Sequence, residues 1–390
     1  MPTRKLQNGQ ALVAYLEHHL PAYLADLKTL VSIDSGSFDV DGVNAVITWL
    51  AGRLGTMGFE VARHPVDGFG DYLMAVLRGR GRLRVVLLGH ADTVFPAGTA
   101  AQRPFTIAGD RVLGPGVSDM KGGLLNGLYA VAALQAIGFD DFATLVYLCA
   151  SDEEVGQHGA TPLIQDVSRQ ADAVFTLEAA RANGDIVVAR KGIRWYTVEL
   201  EGRAAHAGVE PEKGASATLA LAHHAVALAR LNGLRPGVTL NIGTIAGGTR
   251  PNVVADRATM RLDVRAFSTE DLEAVEQAIY QQLAQAPVPG VTARAILEEG
   301  SVYPPMPRTP AIAHLEGLAQ EIAAELGFEV RGAQTGGVSH ANLVAAVGTP
   351  VLDGLGPVGG RDHSPDEYIE LPSIVPRTAL LARLIMALAR

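Results

Sequence analysis

Thr144-Leu145-Val146-Tyr147-Leu148-Cys149-Ala150 is an unbroken apolar run that stops at Ser151-Asp152-Glu153-Glu154. A run of this length without polar alternation reads as a strand buried on both faces, the kind that parallel sheets use. The design repeats on either side. Residues 84–88 (RVVLL) end in Gly89-His90-Ala91-Asp92, and residues 173–177 (AVFTL) end at Glu178. Between the first two runs, residues 122–137 are apolar at helical spacing. Continuous strands alternating with helices predict an α/β fold, a mostly parallel mixed sheet with helices on both faces. The style returns near the C-terminal end, with helices over 311–326 and near 342–347, a strand over 349–352 and a helix from about residue 373.

The middle of the chain reads differently. Strands are predicted over 195–200, 238–245, 258–265 and 291–297, and helices over 215–231 and 269–285. The order β-α-β-β-α-β is the split βαβ pattern of a small, ferredoxin-like α+β domain. Residues 258–265 alternate, with Met260, Leu262 and Val264 apolar and Arg261, Asp263 and Arg265 polar, as in a sheet with one wet face. The expected organisation is a larger α/β domain in two parts, 1–191 and 304–390, interrupted by an inserted small domain, 192–303. The chain's 390 residues exceed the roughly 250–300 at which a single core stops growing, which agrees with two domains.

Hydrophobic residues at 48% and charged residues at 19% exclude a disordered chain. Lys+Arg 32 against Asp+Glu 41 gives a net charge of −9, and no run of Lys or Arg occurs, so neither nucleic acid nor an anionic membrane is an expected partner. The most apolar stretch, 124–137, is shorter than the ~20 residues of a membrane span. The N-terminal residues place Leu12, Val13, Leu16 and Leu20 at helical spacing and lack a signal-peptide pattern. One cysteine, Cys149, excludes intramolecular disulfides. A cytoplasmic location is the expectation.

In an open α/β sheet, ligands bind beyond the carboxyl ends of the strands. His90 and Asp92 follow one strand; Asp152, Glu153 and Glu154 follow the next; Glu178 follows the third. Asp362 and His363 lie in the Gly-rich stretch 354–365 (GLGPVGGRDHSP), and Asp119 lies in another, 114–123 (GPGVSDMKGG), that opens a helix. Imidazoles and carboxylates without thiolates form a ligand set for zinc-type metals. The second Gly-rich loop lacks the spacing of a phosphate loop, and the neighbouring carboxylates would repel phosphate.

These motifs are specific as a set. Gly89-His90-Ala91-Asp92-Thr93-Val94, the 114–123 loop, Ser151–Gly156, Leu177-Glu178, Gly202–Gly208 with His206, and His363-Ser364-Pro365-Asp366-Glu367 together resemble the metallohydrolase family of acetylornithine deacetylase, succinyl-diaminopimelate desuccinylase, aminoacylase and glutamate carboxypeptidase. The block 335–341 and the motif order are most similar to the glutamate carboxypeptidases. The resemblance covers nearly the whole chain. It implies a zinc-exopeptidase-like fold and two zinc ions per subunit, with Co²⁺ or Mn²⁺ as substitutes. Asp119 would bridge the ions, His90 and Glu178 would complete one site, and Glu154 and His363 the other.

The resemblance further implies that Asp92 orients His90, that Glu153 is the general base, and that His206 stabilises the oxyanion, from the partner subunit in dimeric relatives. Asn252 and Arg265 would bind the substrate's carboxylate, with Gly336 also at the substrate. The peptide Asp119–Met120 would be cis. The implied substrates are small peptides or N-acyl amino acids with a free carboxylate, and the implied assembly is a homodimer through the inserted domain. The arginine that reads a glutamate side chain in glutamate carboxypeptidases has no counterpart in 298–303, leaving Arg250 and Arg308 as substitutes. Two alternatives stay open from the residues. A di-zinc aminopeptidase or dipeptidase would need an acidic group where Asn252 and Arg265 stand. A non-catalytic binding protein on the same fold would be expected to have lost a ligand or the base.

Overall fold

The computed structural model describes residues 2–156, 159–298 and 300–389; His158 and Glu299 lie outside the described residues. The chain divides into two compact units.

The first unit comprises Met1–Val188, Arg308–Gln334 and Ser339–Arg390. Its six-stranded sheet runs in the order Glu60–His64, Tyr72–Arg78, Thr144–Ala150, Arg84–His90, Ala173–Thr176, Val351–Leu352. The first three strands pair antiparallel and the rest parallel, so the sheet is mixed. The two central strands are buried along nearly their whole length, as their unbroken apolar sequences require. Register then fixes the site. His90 lies opposite Ala150 and Leu88 opposite Thr176, so the loops leaving these three strands start level with one another.

Helices Pro2–Val31, Gly122–Ala136, Pro310–Glu325 and Ile374–Leu388 pack together, while Val40–Thr56 and His340–Ala346 lie against strands. Gly123 is required at its position, because a Cβ there would sit 1.7 Å from the carbonyl oxygen of Leu177. The apolar stretch 124–137 is not the most membrane-like one. Leu371–Leu388 is longer and apolar enough to cross a bilayer, but 56% of it is buried in the protein, where Leu380, Leu381, Leu384 and Ile385 belong to the core. A small antiparallel sheet, Gly359–Gly360, Tyr368–Glu370, Arg111–Leu113 and Thr106–Ala108, ties the Asp119 loop to the His363 loop.

The second unit comprises Ala189–Pro307 and Thr335–Val338. Its antiparallel sheet runs Thr239–Gly247, Arg257–Ala266, Gly192–Glu201, Thr292–Leu297. Helices Ala217–Ala229 and Thr269–Leu283 start at Ser216 and Ser268, whose hydroxyls accept from Leu219 N and Asp271 N. They cover one face, where Tyr196, Val198, Leu200, Met260, Leu262 and Val264 meet Leu221, Leu228, Val275 and Ile279. The alternating strand turns Arg261, Asp263 and Arg265 to the other face.

The unit is wider than 192–303, and 304–390 does not belong wholly to the first unit. Arg190 and Met306 exchange backbone hydrogen bonds of 2.9 and 3.0 Å, Lys191 N donates to Thr335 O (3.0 Å), and the Arg190 guanidinium donates to the Gly337 and Val338 carbonyls. These bonds tie 304–307 and 335–338 to the small domain without any compositional mark in the sequence.

Candidate metal centre

Each donor in the first unit is placed by a short-range feature of its own segment. His90 ends its strand, and Glu178 follows the strand Ala173–Thr176, whose continuation is fixed by Leu177 N donating to Leu88 O (2.9 Å). Glu153 and Glu154 open a single 3-10 turn after Asp152, and Ala91 N donates to Ala150 O (2.8 Å), which holds this turn alongside Asp92. Asp119 lies in the Gly-rich loop. Gly116 adopts a φ of 70°, and a side chain there would collide with Thr93. The Asp119–Met120 peptide is cis, as the resemblance implies. His363 sits at a φ of 62°, in the left-handed region, and its turn is held by Ser364 N donating to Arg361 O (3.1 Å) and by the Arg361–Asp366 ion pair (2.9 Å).

The donors converge. Asp119 faces two ways: Oδ1 is 3.0 Å from His90 Nε2, and Oδ2 is 3.1 Å from His363 Nε2. Glu178 Oε1 lies 3.7 Å from His90 Nε2, and Glu154 Oε2 lies 3.1 Å from His363 Nε2. Two triads result, His90–Asp119–Glu178 and Asp119–Glu154–His363, with the donor atoms of each within 4.8 Å of one another. Asp92 is fully buried behind them. Its carboxylate accepts from Ser37 Oγ (2.7 Å), Glu153 N (3.2 Å) and Glu154 N (3.1 Å), and it lies 3.3 Å from His90 Nδ1, which also contacts the Asp92 backbone oxygen at 3.0 Å.

The electrostatics are those of a cluster that needs positive charge. Burial, aided by Asp119, pushes Glu178 well above the usual carboxylate range. Burial also raises Glu154, against the hydrogen bond from His363. Glu153 is pushed up to about 8 by burial, with His90 opposing and Glu154 adding. Hydrogen bonds to the Asp119 and Glu154 carboxylates raise His363 to about 11. His90 also rises, because Asp119 and Asp92 outweigh its burial. Glu154 Oε1 is buried and accepts no hydrogen bond from the described residues. A divalent cation fits this arrangement, since it satisfies the orphaned oxygen and replaces the imidazolium protons with a charge the carboxylates share. Nitrogen and oxygen donors without sulfur suit zinc-type ions.

The remaining expected residues lie in the second unit. His206 and Asn252 are exposed on adjoining segments, joined by Ala207 N donating to Asn252 O (3.0 Å). Arg265 meets Gly336, whose carbonyl accepts from its Nη1 at 2.8 Å. Arg308 belongs to the first unit and pairs with Glu316 at 2.7 Å. Arg250 is exposed.

Some contributors escape sequence reasoning. Glu367 accepts from Gly116 N (3.0 Å), Ser118 N (2.8 Å) and Asp119 N (3.0 Å), so one carboxylate shapes the loop that presents Asp119. Its place in His363-Ser364-Pro365-Asp366-Glu367 was the available signal. His340, without a role in the sequence reading, is buried with its ring centre 6.1 Å from that of His90, and burial lowers it to about 3. Ser37, which anchors Asp92, has no signal at all.

Two His–carboxylate triads sharing an aspartate at the strand ends of an α/β sheet, with a further glutamate beside them, define a metal-dependent hydrolase. The profile of peptidase family M20/M25/M40 matches residues 86–387, and the chain belongs to this family. It is 31% identical to carboxypeptidase G2 of Pseudomonas sp. (strain RS-16), over 94% of this chain and 89% of that protein. It is 26% identical to acetylornithine deacetylase of Proteus mirabilis (strain HI4320), over 94% and 96%. Its fold matches the crystal structure of aminopeptidase PepT from Bacillus cereus ATCC 10987 with a TM-score of 0.82 and 25% identity, covering 95% of this chain and 99% of that one. The protein is a zinc-dependent hydrolase of the metallopeptidase and amidohydrolase type.

Proposed function

We infer that this hydrolase cleaves an amide or peptide bond next to a free C-terminal carboxylate, in the manner of a carboxypeptidase or an N-acyl amino acid hydrolase, with two zinc ions per subunit. The hydrolytic class follows from the family. What carries the narrower reading is Arg265, a guanidinium on the wet face of the second unit's sheet that retains hydrogen-bond donors for a carboxylate. The likeness to carboxypeptidase G2 supports the same side of the choice. The two-way geometry of Asp119 supports the count of two ions.

When bound, the zinc ions supply Lewis-acid polarisation of the scissile carbonyl and acidify a water molecule. His90, Asp119 and Glu178 would hold one ion and Asp119, Glu154 and His363 the other, while Asp92 keeps His90 and the Glu153–Glu154 turn in place. Glu153 takes a proton from the attacking water and delivers it to the leaving amine. His206 donates to the developing oxyanion. Asn252 and Arg265 hold the substrate's carboxylate, with Gly336 bracing Arg265.

A cytoplasmic homodimer is part of the reading. Helix Ala217–Ala229 leaves Leu219 53% and Val226 61% exposed, an apolar surface that a second copy of the unit would cover across a two-fold axis.

The test is a hydrolysis panel on the zinc-loaded protein that varies the C-terminal residue at a fixed acyl group, then the acyl group at a fixed residue. Each compound is paired with its C-terminal amide and with a free-amine counterpart. Turnover that needs the carboxylate and tolerates a blocked amine is expected. Turnover that needs the free amine and ignores the carboxylate would replace this reading with the aminopeptidase one, which the likeness to PepT favours.

A further inference from the structure

On the wet face of the second unit, Arg265 is held by more than its own strand. Asp263 stands two residues earlier, so both side chains leave the same face of Arg257–Ala266 about 6.6 Å apart. Asp263 Oδ1 accepts from Arg265 Nε at 2.8 Å, and Oδ2 accepts from Nη2 at 2.8 Å. The same Oδ2 accepts from the indole Nε1 of Trp195 at 2.9 Å, the residue opposite Asp263 on the neighbouring strand. Gly336 O then takes one N–H from Nη1. A guanidinium has five N–H donors. Three are engaged among the described residues, which leaves one on each terminal nitrogen.

We propose that Asp263 is the positioning residue of the carboxylate-reading group: with Trp195 behind it, Asp263 fixes the Arg265 plane so that one N–H of each terminal nitrogen stands ready for the substrate's carboxylate. This rests on the reading that Arg265 binds that carboxylate. A long arginine on an exposed sheet face otherwise loses substantial rotamer freedom on binding, and a side-on aspartate removes that cost beforehand.

An aspartate beside an anion-binding group also cancels charge, and Lys191 restores it. Its ammonium donates to Thr239 Oγ1 (3.3 Å) and lies 5.5 Å from the centre of the Phe267 ring. Burial lowers its proton affinity, and the charge of Arg265 lowers it further, with Asp263 opposing. The next charge along the strand, Arg261, is committed elsewhere, because Glu298 Oε1 accepts from its Nε at 2.8 Å.

The experiment uses the zinc-loaded full chain and the N-acetyl-L-amino acid that the panel turns over best, beside its C-terminal amide; where the amide is turned over too slowly, it is measured as a competitive inhibitor. Wild type, Asp263→Asn, Arg265→Ala and the double variant are compared by KM and kcat, with Trp195→Phe as the milder perturbation of the same carboxylate. Asp263→Asn is expected to raise KM for the free acid about 10-fold with kcat within about 2-fold, and to leave the amide unchanged. Trp195→Phe should give about a 3-fold rise of the same kind. The double variant should be no worse than Arg265→Ala, since the aspartate acts only through the arginine.

If Arg265→Ala affects acid and amide equally, the parent reading falls and this proposal with it. If Arg265→Ala discriminates and Asp263→Asn does not, or if the two losses add in full, only this proposal falls. An Asp263→Asn chain that does not fold leaves the decision to Trp195→Phe, where equal effects on acid and amide, or none, overturn the proposal.

Discussion

Asp92 and Asp263 are both aspartates that hold another functional side chain in place, and their surroundings differ sharply. Asp92 is fully buried beyond the end of a central strand, and its hydrogen-bond donors include the backbone N–H groups of Glu153 and Glu154. Asp263 is about a quarter exposed on the wet face of an antiparallel sheet, and its donors are the side chains of Arg265 and Trp195. In the first region a single carboxylate sets the path of the main chain, so an error there reaches several donors together. In the second it sets one side-chain rotamer, and an error stays local. The metal cluster should therefore fail collectively and the carboxylate-reading group singly.

The sharpest way to break this contrast is Asp119→Asn. Both triads depend on its two oxygens, 3.0 and 3.1 Å from the imidazoles of His90 and His363. A neutral amide offers one oxygen and one N–H group, so both sites should lose metal and turnover should fall to the detection limit. Metal analysis after gel filtration reads the outcome. Loss from one site alone, with the other fully loaded, would show that the two triads are independent.

Glu153→Gln is expected to separate chemistry from metal binding. The adjacent Glu154 belongs to a triad and Glu153 does not. The variant should keep its metal and lose roughly 10²–10⁴ in kcat, because an amide cannot take the proton. Near-normal turnover at full occupancy would remove Glu153 from the reaction.

The strand-end residues are legible in the sequence because an apolar run announces a buried strand, and a parallel register makes the ends of neighbouring strands level. His90, Glu153, Glu154 and Glu178 follow from that logic, and Asp119 and His363 from Gly-rich stretches whose backbone must bend sharply. Tertiary closure is less legible. Nothing in Thr335–Val338 marks it as part of the second unit, since the link consists of backbone carbonyls taken by Lys191, Arg190 and Arg265. Asp263 shows in the sequence only as one polar position of an alternating strand; its clamp on Arg265 needs the strand pairing that brings Trp195 opposite. Ser37 and His340 reach the cluster through contacts 55 and roughly 250 residues apart in sequence, which no local pattern encodes.

His206→Ala probes the second unit where the proposed chemistry is strongest. Loss of an oxyanion donor should lower kcat by roughly 10²–10³ without loss of metal. In a homodimer that supplies His206 across the interface, mixing His206→Ala with Glu153→Gln under subunit exchange should restore activity, because one site of the hybrid holds an intact Glu153 and an intact partner histidine. Confirmed hybrids without activity would place His206 in its own chain's site or in none.

The smallest effect in the cluster decides whether the opening contrast holds. In Asp92→Asn an amide group replaces one carboxylate oxygen. Those oxygens accept from Glu153 N at 3.2 Å and Glu154 N at 3.1 Å, so the new N–H₂ must face one of these donors. The turn has to shift, and with it a triad member and the adjacent glutamate. The expected result is a loss of about 10–100-fold, shared between metal affinity and kcat, as for other groups that orient metal ligands. Metal titration with a competing chelator and steady-state kinetics measure the two parts. Asp263→Asn, by contrast, should leave metal affinity untouched and move KM alone. If Asp92→Asn also changed only KM, or if Asp263→Asn weakened metal binding, the division between a main-chain-setting aspartate and a rotamer-setting one would be wrong.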